Sequence, residues 1–330
     1  MRLRAKRASS KVTWERSPVR TDAVRALKVT TVFIATVILG GALLAPFGYW
    51  AVQALASITP TLDSLARQPF HRYVSRGMLV LALLGLRPWA RAMGLAAAAE
   101  LGWCGPSARH WRLLGRGFLW GFASLAVFAA LAVLAGAKGT NFEHSAGEWA
   151  KRLISAALSG LVVAVLEETL FRGALFGGLR RGVSVPWAMV VSSVVFALLH
   201  FLDRRPEPPT AVGWASGLAL LPRMVREIDD WRMFAAALGS LTVVGLFLCL
   251  AYQRTGNLFF SAGLHAGWVF WMKLTGFVTV AKPAAPGWLW GTGKLVDGGV
   301  TFGLLLVTFA LYWRWGRSAA ADTEEPRSHG

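Results

Sequence analysis

Cysteine is nearly absent from this chain of 330 residues. Its two cysteines, Cys104 and Cys249, stand far apart with no metal-type spacing, which excludes a disulfide framework and a cysteine-built metal centre. Charge is scarce as well, at 16% of residues, and acid is the scarcer sign, with 17 Asp and Glu against 35 Lys and Arg. The His-Glu-x-x-His spacing of helix-borne zinc sites does not occur. Nor does a convincing internal repeat, which argues against the repeat-built transporters.

What is abundant is apolar sequence. Hydrophobic residues make up 55% of the chain, mean hydropathy is +0.48, and apolar runs of about 20 residues recur, the length that crosses a bilayer as helix. Sixteen tryptophans fit the same class. Trp50, Trp89, Trp120, Trp187, Trp231, Trp288, Trp313 and Trp315 lie near the ends of apolar runs, where interfacial belts form. The formal charge of +18 raises nucleic acid as a partner. Its distribution points elsewhere, because the basic residues gather in the N-terminal segment and in loops, as the positive-inside rule and anionic lipid require. The partner expected is the lipid bilayer, with no nucleic acid. Met1 to Lys28 carries nine Lys and Arg, and the apolar run from Val29 to Ala56 is far longer than a signal-peptide core. It reads as an uncleaved first span.

The pattern predicts an all-α polytopic membrane protein of about eight transmembrane helices with a polar catalytic cavity between them. The spans expected are 29–51, 73–86, 117–137, 153–179, 187–202, 234–252, 258–280 and 300–315. They divide the chain into a basic cytoplasmic segment (1–28), an N-terminal transmembrane region (29–149), a core (150–280), a C-terminal helix (281–316) and a polar tail (317–330). Residues 87–116 read as an interfacial, Ala-rich amphipathic piece, and the apolar insert 211–221 as re-entrant or surface-lying. Eight spans put both termini on the cytoplasmic side, with about 20 Lys and Arg inside against about 14 outside.

One run breaks the apolar pattern. Leu166-Glu167-Glu168-Thr169-Leu170-Phe171-Arg172-Gly173 sets two carboxylates and a guanidinium at membrane depth, where a charge costs roughly 2.5–3.5 kcal/mol on insertion scales and usually marks function. On an α-helix Glu168 and Arg172 stack four residues apart. Glu167 is rotated about 100° away and is left unpaired. Burial raises such a carboxylate's pKa and opposite charge lowers it, and a Glu poised near neutrality is a general base. The fifth span adds His200 in Phe196-Ala-Leu-Leu-His200, and the seventh adds His265 in Ser261-Ala-Gly-Leu-His-Ala-Gly267. Each histidine alone reads as a packed, hydrogen-bonded side chain more readily than as a catalyst, and it is their joint occurrence with the glutamates that points to function. Asp203 either orients His200 or belongs to the loop. Gly173/Gly177 and Gly263/Gly267 form Gly-x-x-x-Gly pairs that let helices approach closely.

Glu-Glu-x-x-x-Arg, then Phe-x-x-x-His, then Arg254-Thr-Gly-Asn-Leu leading to His265 resembles the CPBP family, the CAAX-processing and bacteriocin-processing intramembrane glutamic endopeptidases also called Abi. The resemblance covers 150–280 and hardly touches the first 110 residues. It implies a metal-independent, cofactor-free peptidase acting on a peptide or protein substrate at the membrane. Glu167 would activate water, assisted by His200. Glu168 and Arg172 would hold the site in shape, and His265 would help to stabilise the oxyanion. In one place the chain departs from the family, which carries Asn or Asp four residues after its histidine; Val269 stands there and offers no side-chain hydrogen bond. The Arg/Ala/Trp-rich composition points to a bacterial inner membrane. Three other readings stand beside this one. They are a zinc peptidase with Glu167, His200 and His265 as ligands, a catalytically altered membrane-binding or scaffold protein, and a purely structural ion pair with packed histidines.

Overall fold

The computed structural model describes residues 20–95, 97–105, 107–201, 211–224, 230–282, 285–291 and 296–321. The long helices are α1 (Arg20–Ala56), α2 (Phe70–Ala92), α3 (Ala108–Leu134), α4 (Ala146–Leu179), α5 (Val185–Leu199), α7 (Trp231–Thr255), α8 (Phe259–Val278) and α9 (Gly299–Ala321). Between α5 and α7 lies the nine-residue α6 (Ser216–Met224). The protein is thus an all-α polytopic membrane protein, and its eight long helices stand where the eight apolar runs predict them. By length and hydropathy alone, four described helices suffice to cross a membrane: Val24–Ala56, Ala108–Leu134, Ala146–Leu179 and Trp231–Thr255. The other four each fall short for a visible reason. Helix α2 carries Arg72, Arg76, Arg87 and Arg91, and α5 has 15 residues. Helix α8 spends positions on Ser261, Gly263, His265 and Gly267, all buried inside the protein, and the apolar part of α9, Gly299–Arg314, is short.

Local sequence sets the helix ends. The Ser107 hydroxyl accepts from His110 N at the start of α3. Ser145 and Glu148 form a reciprocal capping box at the start of α4. Pro186 occupies the first turn of α5, where its missing N–H costs nothing. The Asp230 side chain caps α7 from one end, and Gly256, at φ +69°, closes it at the other.

Helices α3 and α8 run side by side in the same direction, and glycine lets their backbones meet. A Cβ on Gly117 or Gly121 would strike the backbone carbonyls of Phe260 or Leu264; one on Gly263 would strike that of Leu114. Gly267 faces Phe118 O at 2.5 Å in the same sense. The expected Gly263/Gly267 pair is therefore a true helix contact, and its partner is a second Gly-x-x-x-Gly, Gly117/Gly121. Helix α4 closes the other flank of α8 through Gly160, whose Cβ would come 2.8 Å from Ala266 O. Backbone and side-chain contacts gather Gly94, Gly102, Arg181, Arg254, Leu258 and Tyr312 at one end of the bundle. The ends of α3 and α8 meet at the opposite end in a two-strand antiparallel ladder, β1 (Lys138–Thr140) with β2 (Thr279–Ala281).

Several boundaries differ from the sequence expectation. Helix α3 starts at Ala108, nine residues before the run expected from Gly117. The Ala-rich part of 87–116 is no amphipathic helix. Its ends belong to α2 and α3, and between them the chain turns at Gly94 (φ +74°) and Gly102 (φ +92°), a conformation that suits glycine alone. The insert expected around 211–221 is α6, docked against α1 and α2 with Leu220 in a cluster of Ala42, Ala45, Phe70, Tyr73 and Val74. Asp203 lies outside the described residues.

Candidate active site

The charged run of α4 does not stay α-helical. Ala146–Glu167 is α, Glu168–Phe176 is a π-helix, and α geometry resumes at Gly177. This corrects the expectation of plain α spacing. A π-helix is rare, and it persists where surroundings impose it, frequently at functional sites. Two hydroxyls occupy carbonyls in this stretch. Thr169 Oγ1 donates to Val165 O at 2.6 Å, and Ser192 Oγ of α5 donates to Phe171 O at 3.0 Å.

The five expected residues converge. Arg172 Nη1 lies 3.1 Å from Glu168 Oε1, so the pair survives the change of helix type. Both side chains are essentially inaccessible. No guanidinium nitrogen of Arg172 has hydrogen-bond geometry to a protein acceptor. The group is held by charge and by the face of Phe196, 4.3 Å from its Cζ. The same Glu168 Oε1 accepts from His265 Nδ1 at 2.9 Å, and His265 is 5% exposed. Arg172, Glu168 and His265 thus form one buried chain across α4 and α8.

Glu167 and His200 are the outward half. Their side chains are 26% and 33% exposed. His200 caps the end of α5, and its Nδ1 lies 2.8 Å from Phe196 O. A carbonyl only accepts, so Nδ1 carries a proton and Nε2 is the nitrogen turned toward Glu167. Glu167 Oε2 stands 3.8 Å from His200 Nε2 and 3.7 Å from His265 Nε2. One carboxylate oxygen therefore faces two imidazole nitrogens contributed by two other helices. These gaps exceed direct hydrogen-bond range and match the span of one bridging water.

Other motif residues serve architecture. Arg254 donates to Tyr312 O and Trp313 O of α9 at 2.6 and 2.9 Å. The Asn257 side chain accepts from Phe259 N at 3.1 Å, starting α8. Val269 is buried one turn beyond His265 and adds no polar atom. The Gly173/Gly177 pair does not receive a helix. Gly173 lies under Leu101 O, 2.6 Å from where its Cβ would stand, and Gly177 lies near Leu95. Ser192, Thr169, Gly160 and the Gly117/Gly121 pair lay outside the sequence reading. Only the last carried a signal there, as a further Gly-x-x-x-Gly. Among the described residues no group of three His, Cys, Asp or Glu side chains is arranged to hold a metal ion.

Comparison with known proteins bears on the same stretch. Residues 149–271 match the family described as type II CAAX prenyl endopeptidase Rce1-like. No curated protein and no solved structure matches the chain. The matched segment contains Glu167, Glu168, Arg172, His200 and His265 together, in the order and on the helices just described. Residues 149–271 of this integral membrane protein are thus similar to the type II CAAX prenyl endopeptidase Rce1-like family, a family of proteases.

Proposed function

We propose that this protein is an intramembrane glutamic endopeptidase that hydrolyses a peptide bond near the membrane surface, with Glu167 as the base that activates water. One observation carries the reading: the side chain of Glu167 is partly exposed, while its Oε2 is buried, without a hydrogen-bond partner in the protein, 3.7 and 3.8 Å from two imidazole nitrogens and over a buried Arg172–Glu168–His265 chain. A water bridging Glu167 and His200 gives its proton to the carboxylate as its oxygen bonds to the scissile carbonyl carbon. The C–N bond then breaks as the same proton passes to the leaving amine. His265, whose Nδ1 proton is fixed on Glu168, donates to the developing oxyanion from Nε2 when the ring carries its second proton. Val269 contributes no donor, so His265 bears more of that charge than it would beside an amide.

The reading assigns no metal or other cofactor. Its partners are the bilayer and a peptide or protein substrate. Arg87, Arg91, Arg109, Arg112, Arg180, Arg181 and Arg254 sit at or near the bundle end where α1 begins and α9 finishes. That distribution supports cytoplasmic termini, and the composition supports a bacterial inner membrane.

The test compares membranes containing wild-type protein with membranes containing Glu167→Gln at equal level. Peptides released by the first and not the second identify the substrate. Equal release by both sinks the peptidase assignment and favours a binding or scaffold role. Activity lost on chelation and restored by zinc would move the reading to a zinc peptidase built on Glu167, His200 and His265.

A further inference from the structure

Residues 93–95 and 97–103 join α2 to α3, yet they lie along the very face of α4 that continues past the two glutamates. Trp103 Nε1 donates to Thr169 Oγ1 at 2.8 Å, one residue after Glu168. Leu101 O covers Gly173, Leu95 approaches Gly177, and Met93 fills the space beside Gly178. Arg181 Nη1 donates to Gly94 O at 2.7 Å. Contacts at 169, 173, 177, 178 and 181 thus follow the π-segment and the turn beyond it. The same connection also grips the other half of the site. Gly102 O accepts from Leu258 N at 2.9 Å at the start of α8, and the Trp103 ring packs edge-on to Phe259 with centroids 5.4 Å apart. Trp103 further covers the Ala164, Ala262 and Ala266 junction, where α4 meets α8.

From these contacts we infer that residues 93–95 and 97–103 form a strap that positions the glutamates against His265, and that Trp103 is its positioning residue, acting through Thr169. The inference rests on the peptidase reading for its consequence, and on the strap's contacts for its substance. The direct α4–α8 contact at Gly160 lies before the glutamates and sets how close the two helices come. It leaves open how the chain after Glu167 is rotated. A π-helix is not self-sustaining, so its rotation needs outside anchors. Ser192 supplies one from α5, and the strap supplies the rest. The Trp103 hydrogen bond is the anchor closest in sequence to the glutamates. The strap lies wholly outside the family-matched segment.

The experiment uses the full chain in detergent, with Trp103→Phe, Thr169→Val and the double variant. Phenylalanine keeps the ring against Phe259 and the alanine junction and removes only the N–H. Hydrogen exchange by mass spectrometry is expected to rise about threefold or more in peptides covering 168–176, with those from α3, α7 and α9 unchanged. Cleavage of a fluorogenic peptide bearing the site found by the Glu167→Gln comparison is expected to fall roughly three- to tenfold in kcat. KM and Tm stay at wild-type values, and the double variant is no worse than Thr169→Val alone, because that change already removes the Trp103 bond along with the one to Val165 O. Unchanged exchange at 168–176 overturns the positioning role whatever becomes of the peptidase assignment. Raised exchange with unchanged kcat, additive losses in the double variant, or a fall in kcat that only tracks Tm overturns it too. Failure of the peptidase reading shows separately, as cleavage that survives Glu167→Gln.

Discussion

Replacing Arg172 by methionine removes a guanidinium that no solvent reaches, from beside a carboxylate that no solvent reaches. Methionine roughly fills the volume, so the change is chiefly electrostatic: Glu168 is left buried with its nearest formal positive charge gone. Breaking a buried pair by removing one partner costs about 3–5 kcal/mol, mostly the penalty of the stranded charge. Two features of this site bear on where in that range the cost falls. The hydrogen bond from His265 Nδ1 at 2.9 Å remains and offsets part of the penalty. The lost contact with the Phe196 face, 4.3 Å away, adds about 1 kcal/mol or more. We therefore expect about 3 kcal/mol, a large share of the stability of an ordinary domain. The partner variant Glu168→Gln strands Arg172 and should cost a similar amount. The double variant Glu168→Gln/Arg172→Met strands neither charge and should be no worse than the milder single. Equilibrium unfolding of purified protein in mixed micelles, followed by the fluorescence of its tryptophans, measures all four corners of the cycle. A loss below about 1 kcal/mol for Arg172→Met, or additive losses in the double variant, would refute the argument that the pair is held by mutual compensation.

Two further expectations follow from the same structure. Gly263→Leu drives a side chain into the Leu114 carbonyl of α3 and should lower Tm by several degrees or prevent accumulation of folded protein, whereas Gly303→Leu, with open space around it, should do neither. The Ser145–Glu148 cap closes the start of α4, with Ser145 N and Oγ both donating to Glu148 Oε2 at 2.8 Å. Glu148→Ala should therefore raise amide exchange in the first turn of α4 and leave that of α8 unchanged.

By itself the sequence determined the architecture and marked the candidate site residues. Eight apolar runs gave eight long helices, because hydropathy and length are properties of the residues and not of their partners. Glu167, Glu168, Arg172, His200 and His265 stood out because ionisable groups are costly inside apolar helices wherever those helices pack. Only the tertiary structure decided the backbone between Glu168 and Phe176. Whether a carbonyl bonds four or five residues ahead depends on Ser192, Leu101 and Trp103, which stand elsewhere in the chain. The glycines show the same division. Gly173 and Gly263 sit in the same motif, yet one lies under a loop and the other against a helix, since a missing side chain specifies room and not its occupant. The different surroundings of the two glutamates, expected from helix rotation, take their particular partners only in three dimensions. Neighbours in the chain, Glu168 is inaccessible and tied to Arg172 and His265, while Glu167 stays partly open between two imidazoles, because helix rotation sends adjacent side chains to different surroundings.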